Sequence, residues 1–353
     1  MAEAEVLFEE RGAAGIITLN RPQALNAFGI ATVRAMRPQL AAWATNPSIT
    51  RVVIRAAGER AFAAGGDIRA IYDLHMEGRT EEAIDFWREE YLLNAEIKRY
   101  PKPYIALIEG ICMGGGVGLS LHGRYRVAGD KYLFAMPEVS IGFFPDVGAT
   151  HALPRLPGRL GVYLALTGAR LGPGEGVALG LATHRVPSAQ FPSLLEALGQ
   201  GRDVAKTLAA FSMEAEANRL LPRMQLIDRA FVGVTVERVL QNLDREAQGQ
   251  GDDAAFAQAQ ADAIRTKSPT SLKIAHEQMR LGATLDFAAA MRSEFRIVNR
   301  VARGHDFYEG VRAVLIDKDN QPRWNPATLG EVTAAQVGAY FAPLASQTGE
   351  LPL

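Results

Sequence analysis

The chain has 353 residues, of which 48% are hydrophobic and 22% are charged, and its formal net charge at pH 7 is −1. These values are ordinary for one large α/β domain or two smaller domains, and they give no reason to expect a nucleic acid or a membrane as a partner. The sequence has a single cysteine, Cys112, so it cannot form a disulfide within the chain, and a reducing compartment is expected.

The N-terminal segment from Met1 to Val6 has no basic cluster and no apolar stretch behind it, as a secretory signal or a transit peptide would have. No window of the sequence reaches the roughly 18 uninterrupted apolar residues that a membrane-spanning helix needs. We therefore expect a cytoplasmic protein.

Strand and helix patterns alternate over the first part of the chain. In order, the sequence predicts strands at 6–9 and 15–19, a helix over 28–44, a strand at 51–56 and a helix over 80–100. Strands joined by helices are typical of a parallel sheet with crossover connections. The sequence therefore predicts an α/β fold.

The most informative stretch is the apolar run that leads from Tyr104 into three consecutive glycines, Gly114 to Gly116. We interpret it as a buried strand, a tight turn and the start of a helix. Because glycine has no Cβ, the backbone there can lie directly against a ligand, and the unpaired N–H groups of a helix start suit a developing negative charge. The stretch predicts an oxyanion site. The alternative is close packing of a helix on a strand, without a ligand.

Other glycine motifs fit this stretch less well. A phosphate-binding loop needs a closing Gly-Lys-Ser or Gly-Lys-Thr, a dinucleotide fold needs G-x-G-x-x-G, and neither spacing is present. The segment from Gly118 to Gly123 approaches the G-x-S-x-G motif of serine hydrolases, but one residue too many separates Ser120 from the closing glycine. A serine nucleophile is thus the weaker hypothesis.

A second glycine turn is predicted between Arg60 and Arg69, where small residues and glycines lead to Asp67. It repeats the strand end and helix start of the first turn, so a second set of backbone donors is expected near Ala64. Asp67 is interpreted as the N-cap of the following helix, because aspartate is among the preferred capping residues.

The segment from Met136 to Gly148 places Glu138 and Asp146 in an otherwise apolar, proline-punctuated loop. A carboxylate in such surroundings is unfavourable unless it is paired or used in chemistry, and loops on a rigid scaffold often carry catalytic groups. Both residues are therefore candidate catalytic residues. The alternative is that Glu138 caps a turn and that Asp146 caps a helix beginning at Val147.

The rest of the chain is predicted to be mainly helical, with short helices over 158–200 and one strand at 183–186. Beyond about residue 205 the pattern is almost wholly helical, and the polar stretch 246–253 is the clearest candidate for a linker. The six histidines show no spacing typical of a metal site, so no metal is expected.

Several of these motifs resemble those of the crotonase, or enoyl-CoA hydratase/isomerase, superfamily. The shared motifs are Leu19 to Ala27, Ala61 to Asp67, Met113 to Gly116 and Met136 to Glu138. Longer segments are similar to the 3-hydroxyisobutyryl-CoA hydrolases within that superfamily, namely Arg88 to Tyr91, Met136 to Gly148 and Arg303 to Asp319. The resemblance therefore runs nearly the full length of the chain.

The resemblance implies a crotonase-like β-β-α spiral core that binds an acyl-CoA, with a helical C-terminal region. On this basis residues 1–200 are expected to form the acyl-CoA-binding core, and residues 201–353 a helical cap or assembly region. The resemblance also implies that the backbone N–H groups of Ala64 and Gly115 hold the thioester oxygen, and that Glu90 contacts the acyl hydroxyl. The alternative for Glu90 is a solvated acid on a helix surface.

The carboxylates favour one reaction of the superfamily. Enoyl-CoA hydratases resemble the chain at Glu138 but carry a second glutamate where this sequence has Gly118, whereas Asp146 belongs to the hydrolase-like Phe-Pro-Asp. The resemblance thus implies hydrolysis of 3-hydroxyisobutyryl-CoA or a close β-hydroxyacyl-CoA, as in valine degradation. Glu138 would activate water or attack directly, and Asp146 would position substrate or assist proton transfer. The expected substrate-binding residues are Glu90, Gly115, Glu138 and Asp146.

Two alternatives remain open at this point. The chain could be an enoyl-CoA hydratase or isomerase, in which Glu138 moves protons without cleaving the thioester. It could also be a non-catalytic acyl-CoA-binding subunit that uses the helical C-terminal region. No cofactor is expected, because CoA enters as part of the substrate. The expected partner is an acyl-CoA, with no nucleic acid and no membrane, and assembly into a homo-oligomer is left open.

Overall fold

The structure, a computed structural model, describes residues 4–214, 217–345 and 349–353. The chain forms two compact units, each assembled from separate stretches of sequence. Unit 1 takes Met1–Asp67, Glu89–Ala135 and Arg170–Asn218, and unit 2 takes Ile68–Arg88, Met136–Ala169 and Arg219–Leu353. These units do not decide the division of the sequence at residue 200, which stays a prediction.

Unit 1 is built on two β-sheets. In chain order their strands are β1 (Val6–Arg11), β2 (Ala14–Leu19), β3 (Arg51–Ala56), β4 (Ala61–Ala63), β5 (Tyr104–Ile108), β6 (Ile111–Met113), β7 (Tyr125–Ala128), β8 (Leu133–Ala135) and β9 (His184–Arg185). One sheet has the order β1-β2-β3-β5-β7-β9 and the other has the order β4-β6-β8. β1 and β2 are antiparallel, and the other neighbouring strands are parallel. The predicted α/β fold with a parallel sheet is confirmed.

Helices connect the parallel strands of unit 1 and dominate unit 2. In chain order they are α1 (Ile30–Thr45), α2 (Ile68–Met76), α3 (Thr80–Lys98), α4 (Gly115–Leu121), α5 (Ala149–Ala152), α6 (Leu160–Thr167), α7 (Pro173–Ala178), α8 (Phe191–Gly199), α9 (Val204–Phe211), α10 (Met224–Ala230), α11 (Val236–Ala247), α12 (Gly251–Arg265), α13 (Pro269–Gly282), α14 (Phe287–Val301), α15 (His305–Val311) and α16 (Ala334–Phe341). Across the described residues, none of the helices is long and apolar enough to cross a membrane.

The central strands of the larger sheet are apolar along almost their whole length. β5 reads Tyr-Ile-Ala-Leu-Ile and is buried at every position. Parallel strands covered on both faces require such continuous apolar runs, because neither face meets water. α8 and α9 contribute Leu194, Leu198 and Leu208 to the same buried cluster as Val53 and Ile105. Burial of this cluster fixes the framework of unit 1 that carries the glycine turns.

Within the described residues, the prediction that the chain is almost wholly helical beyond about residue 205 is confirmed. The polar stretch 246–253, however, is not a linker. It spans the end of α11 and the start of α12, two helices of unit 2 that pack against each other. Val239 and Leu243 are buried on α11, and Ala257 and Ala261 on α12. The polar residues therefore mark the exposed turn between two packed helices.

Packing around Gly15 gives a test of the core. A Cβ at Gly15 would lie 2.6 Å from ring atoms of Trp43, a side chain that is only 1% exposed. Because a close-packed core can accept a methyl group only by shifting this ring, we expect Gly15→Ala to lower the free energy of unfolding by about 1–3 kcal/mol. The matched control is Gly338→Ala in α16, where a Cβ would meet no heavy atom within 4 Å. It should raise that free energy by about 0.5–1 kcal/mol. Urea denaturation followed by circular dichroism measures both, and equal effects would contradict the account.

Candidate active site

The predicted glycine turn joins β6 to α4. Gly114 has φ 49° and ψ −124°, a conformation that side chains rarely allow, and α4 begins at the next residue. The N–H of Gly115 lies in the first turn of α4, where no helical carbonyl can accept it. Among the described residues it has no other acceptor. Gly115 therefore offers one backbone donor, and its role in an oxyanion hole stays a prediction.

Close packing also requires these glycines. A Cβ at Gly116 would lie 2.4 Å from the carbonyl oxygen of Ala63, so α4 lies directly against β4. A Cβ at Gly115 would lie 2.4 Å from Oε1 of Glu90 and 2.8 Å from the ring of Phe28. The alternative interpretation of the run, close packing of a helix on a strand, thus holds for Gly116. Gly115 differs because its neighbour is a carboxylate.

The second predicted donor needs correction. The N–H of Ala64 donates to the carbonyl oxygen of Leu25 at 3.0 Å, so it is not available to a ligand. Gly65 has φ 112° and turns the chain, and the next amide nitrogen, that of Gly66, lies 3.2 Å from the position of a Gly115 Cβ. No acceptor for the Gly66 N–H is found among the described residues. The donor beside Gly115 is therefore Gly66 and not Ala64.

The Arg-Pro-Gln-Ala-Leu-Asn motif forms the loop in which the carbonyl oxygen of Leu25 accepts the N–H of Ala64. Leu25 and Asn26 have φ values of 53° and 54°, in the left-handed region that asparagine tolerates better than most residues. The buried Asn26 side chain accepts a hydrogen bond from the Arg21 N–H and donates to the carbonyl oxygens of Ala57 and Ala61. The motif therefore connects its loop to both ends of the segment 57–61, which leads into β4.

Asp67 directly precedes α2, the position predicted for a helix cap. Its carboxylate accepts a hydrogen bond from Nη1 of Arg21 at 2.9 Å, and the same nitrogen donates to the carbonyl oxygen of Ala27 at 3.0 Å. Both charged side chains are about a quarter exposed. The pair links the Leu19–Ala27 motif to the second glycine turn and assigns Asp67 a structural role.

Glu90 belongs to the part of α3 in unit 1 and is only 2% exposed. Its Oε1 is the atom that a Cβ at Gly115 would meet. A solvated acid on a helix surface, the alternative considered for Glu90, is therefore wrong. The structure places this carboxylate beside the glycine turn of the same unit.

Unit 2 contains the other predicted carboxylates, Glu138 and Asp146, which are 6% and 4% exposed. Glu138 opens a short 3₁₀ helix, Glu138–Ile141, and its Oε2 has no hydrogen-bond partner among the described residues. Burial, and then the negative charge of Asp146, raise the pKa of Glu138 well above its ordinary value. The charge of Asp146 therefore acts on Glu138 within unit 2, and the catalytic roles of the two carboxylates stay predictions.

The helix-capping interpretation of Asp146 is wrong. α5 begins at Ala149, and its N-cap is Gly148, with φ 92°. The intervening Val147 is buried and has φ 51°, a left-handed conformation that is a genuine outlier for a β-branched residue. Such strain is kept only where the surrounding structure enforces it, and it is common at functional loops.

Two buried side chains that the sequence reasoning missed enforce this loop. Glu294 of α14 is fully buried and accepts the N–H groups of Gly148 at 2.8 Å and Thr150 at 2.9 Å. Gln278 of α13 donates to the carbonyl oxygen of Pro145 at 2.9 Å and to the hydroxyl of Thr150 at 2.8 Å. The loop that carries Asp146 is thus held at several points within unit 2.

One signal in the sequence could have identified Glu294. It lies at the helical phase of Met291, Phe295 and Val298, which are all fully buried. A glutamate on the apolar stripe of an amphipathic helix is unfavourable without a partner or a function. Burial, together with the charge of Asp146, raises the pKa of Glu294 to about 8.

Across the part of the chain that the structure describes, no group of three or more metal-ligating side chains is found.

The fold is the crotonase fold, that of acyl-CoA enzymes. A solved structure described as a carnitinyl-CoA dehydratase from Mycobacterium thermoresistibile has a TM-score of 0.92 and 41% sequence identity, covering 99% of this chain and 98% of its own. An enoyl-CoA hydratase from Rhodobacter sphaeroides 2.4.1 has a TM-score of 0.91 and 40% identity, covering 99% of this chain and 100% of its own. The predicted spiral core with C-terminal helices is confirmed.

The chain belongs to the enoyl-CoA hydratase/isomerase family, which matches it over residues 14–341. Among its relatives are proteins named 3-hydroxyisobutyryl-CoA hydrolase, mitochondrial. The protein from Danio rerio is 46% identical over 353 residues, covering 97% of this chain and 91% of its own. The protein from Homo sapiens is 44% identical over 355 residues, covering 98% and 90%. The resemblance to these hydrolases along nearly the full chain is confirmed.

The expectation of a cytoplasmic protein is wrong, because the names of these relatives place them in mitochondria. The lone cysteine was one reason to expect a reducing compartment. Cys112 is buried and has no second thiol to pair with, so it carries no information on the redox state of a compartment.

The buried acids predict a pH dependence of stability. Because the pKa of Glu294 is raised from 4.5 to about 8, the folded protein binds more protons than the unfolded chain between these values. The free energy of unfolding therefore falls as the pH rises through this window. We expect Glu294→Gln to flatten the fall by up to about 1.4 kcal/mol per pH unit, measured by urea denaturation at several pH values.

The control for that experiment is Glu82→Gln. Glu82 is exposed, and its pKa is lowered by hydrogen bonds from Arg79, so its removal should leave the fall between about pH 5 and about pH 8 intact. Parallel pH profiles for the wild type and Glu294→Gln would show that Glu294 does not retain its proton in the folded protein.

Proposed function

We propose that the protein hydrolyses the thioester of 3-hydroxyisobutyryl-CoA, or of a close β-hydroxyacyl-CoA, to the free acid and CoA, as in valine degradation. The observation that carries this proposal is the 44–46% identity, over nearly the whole chain, to relatives that bear the hydrolase name. The buried pair Glu138 and Asp146 supports it, because hydrolysis needs a group that activates water.

In the proposed reaction, the thioester oxygen binds to the backbone N–H groups of Gly115 and Gly66. When water or a nucleophile attacks the carbonyl carbon, this oxygen becomes negatively charged. Backbone donors that already point at its position need no reorganisation, and removal of one such donor raises the barrier by about 2.7–4 kcal/mol in other acyl-transfer enzymes. No side chain is required for this step.

Glu138 has one of two roles. As a general base it accepts a proton from water, the resulting hydroxide adds to the carbonyl carbon, and the carbon–sulfur bond then breaks to release the CoA thiolate. As a nucleophile it forms an acyl anhydride with loss of the thiolate, and water hydrolyses the anhydride. Its raised pKa makes the carboxylate of Glu138 a stronger base than an exposed carboxylate. Asp146 positions the substrate or assists the proton transfer in either case.

Glu90 is proposed to hold the hydroxyl group of the acyl chain. A buried carboxylate only accepts hydrogen bonds, and a hydroxyl donor next to it offsets part of the unfavourable burial of the charge. This assignment would make the enzyme prefer hydroxylated acyl groups. The proposed reaction uses no cofactor and no metal, because CoA is part of the substrate, and assembly into a homo-oligomer is a further part of the proposal.

A hydratase is the second candidate, favoured by the descriptions of the two solved structures with TM-scores of 0.92 and 0.91. Addition of water across a double bond needs groups that orient the water and deliver a proton. Enoyl-CoA hydratases carry a second glutamate in the helix that follows the glycines. In this chain that helix, α4, reads Gly-Gly-Val-Gly-Leu-Ser-Leu and contains no acid, so the hydrolase is favoured.

The decisive measurement is thiol release from 3-hydroxyisobutyryl-CoA by the purified protein, with crotonyl-CoA measured in parallel. We expect release from the hydroxyacyl ester and no loss of the crotonyl double bond. Glu138→Gln should lower kcat by about 10²–10⁴, because the amide can neither take a proton from water nor attack the carbonyl. Asp146→Asn tests the second carboxylate in the same way.

Circular dichroism provides the control that both variants remain folded. If crotonyl-CoA loses its double bond while neither ester releases thiol, the protein is a hydratase and the argument from Asp146 is wrong. If both esters bind without turnover, the non-catalytic subunit is the better description. Light scattering of the same sample measures the oligomeric state.

A further inference from the structure

One buried side chain of unit 1, that of Asn94, has no role in the proposed reaction. Asn94 of α3 is fully buried, and neither its Nδ2 nor its Oδ1 has a hydrogen-bond partner among the described residues. Buried polar groups in folded proteins are nearly always hydrogen-bonded, since an unmet donor or acceptor has lost its water without replacement. Two unmet atoms on one carboxamide therefore indicate a partner that the described residues do not supply.

The position of Asn94 indicates where that partner lies. Asn94 follows Glu90 by one turn of α3, and residues at this spacing lie one above the other on the same helix face. Glu90 in turn lies against the glycine turn, because a Cβ at Gly115 would be 2.4 Å from its Oε1. All three residues belong to unit 1. The carboxamide thus shares its helix face with the carboxylate that borders a proposed oxyanion donor.

The chemistry of a carboxamide selects the ligand group. Nδ2 donates hydrogen bonds and Oδ1 accepts them, so a partner that satisfies both must accept and donate. A thioester carbonyl only accepts, and the methyl group of a branched acyl chain does neither. A hydroxyl oxygen can accept a hydrogen bond from Nδ2, and its O–H can donate one to Oδ1 or to the carboxylate of Glu90.

We propose that Asn94 is a substrate-binding residue that, together with Glu90, holds the hydroxyl of the acyl group and thereby selects β-hydroxyacyl-CoA over the unsubstituted ester. This assignment rests on the proposed function, because it takes an acyl-CoA as the ligand. It adds the donor that Glu90 lacks. An ionised carboxylate can accept a hydrogen bond from the hydroxyl but cannot donate one to the hydroxyl oxygen, whereas Nδ2 can.

The test compares 3-hydroxyisobutyryl-CoA with isobutyryl-CoA, which differs only by the hydroxyl, in the wild type and in Asn94→Leu. Leucine has a similar size and no polar atoms. We expect kcat/KM for the hydroxylated ester to fall about tenfold, as one or two lost hydrogen bonds would cause, and that for isobutyryl-CoA to stay unchanged. The melting temperature should not fall, because no hydrogen bond within the protein is lost.

Asn242→Leu is the matched control. Asn242 is also a buried asparagine, but its Nδ2 donates to the carbonyl oxygens of Val232 at 2.7 Å and Ala230 at 3.3 Å, all within unit 2. Its replacement should lower the melting temperature and leave the preference between the two esters as in the wild type.

Two results would overturn the proposal. If Asn94→Leu lowers the melting temperature and reduces kcat/KM equally for both esters, the carboxamide holds the fold through a buried water. If it changes neither ester, Asn94 does not touch the substrate.

A binding measurement separates this proposal from the proposed function. Titration calorimetry with two analogues, in which a methylene group replaces the thioester sulfur and which differ only in the hydroxyl, needs no turnover. If the wild type releases no thiol from any ester, the proposed hydrolase fails, and the titration still decides the role of Asn94. A preference for the hydroxylated analogue that disappears in Asn94→Leu supports the assignment, and a preference that persists overturns it.

Discussion

The candidate site of unit 1 depends on two backbone segments that approach each other too closely for a side chain between them. β4 and β6 are parallel neighbours, so the turns after their carboxyl ends emerge at the same edge of the small sheet. A Cβ at Gly65 would lie 3.1 Å from the nitrogen of Gly115, and one at Gly116 would overlap the carbonyl of Ala63. The glycines therefore serve the packing first. The N–H groups of Gly66 and Gly115, which have no acceptor among the described residues, are a consequence of that packing, because no side chain covers the backbone at these two glycines.

Unit 2 meets the opposite problem, that of keeping charge-bearing groups in an apolar place. Glu138, Asp146 and Glu294 are all buried, and burial, followed by the negative charge of Asp146, raises the pKa of both Glu138 and Glu294. Glu294 is partly compensated by two backbone N–H groups of the strained loop around Val147, which in turn needs that carboxylate to hold its shape. Acid and loop thus stabilise each other. The same burial raises the pKa of Glu138, and strongly shifted carboxyl groups of this kind are common at functional sites.

The parts of the structure that could be predicted from the sequence are those set by local pattern. β3 has the predicted bounds, and the strand, turn and helix at Gly114 follow from an apolar run that ends in glycines. Ala64 shows where local pattern fails, because its N–H is taken by Leu25, a residue distant in sequence. The roles of Gln278 and Glu294 could not be predicted from local pattern for the same reason. The apolar stripe of α14 indicates that Glu294 is buried, but no motif near either residue indicates its contact with the loop of Asp146, which only the fold brings about.

The fold of this protein does not by itself determine its reaction, as the names of its relatives show. Proteins described as a dehydratase and a hydratase have its backbone with TM-scores of 0.92 and 0.91, while relatives of higher identity are named as hydrolases. What the backbone contributes is a pair of N–H groups at Gly66 and Gly115, and any reaction that places negative charge on a thioester oxygen can use them. The choice among reactions must then come from side chains that reach the rest of the acyl group. In α4, where enoyl-CoA hydratases carry a second acid, this chain has glycine at position 118, so a hydratase reaction would need its second proton-transfer group from another element. For the choice of reaction, this one missing side chain therefore carries more weight than the agreement of the whole backbone.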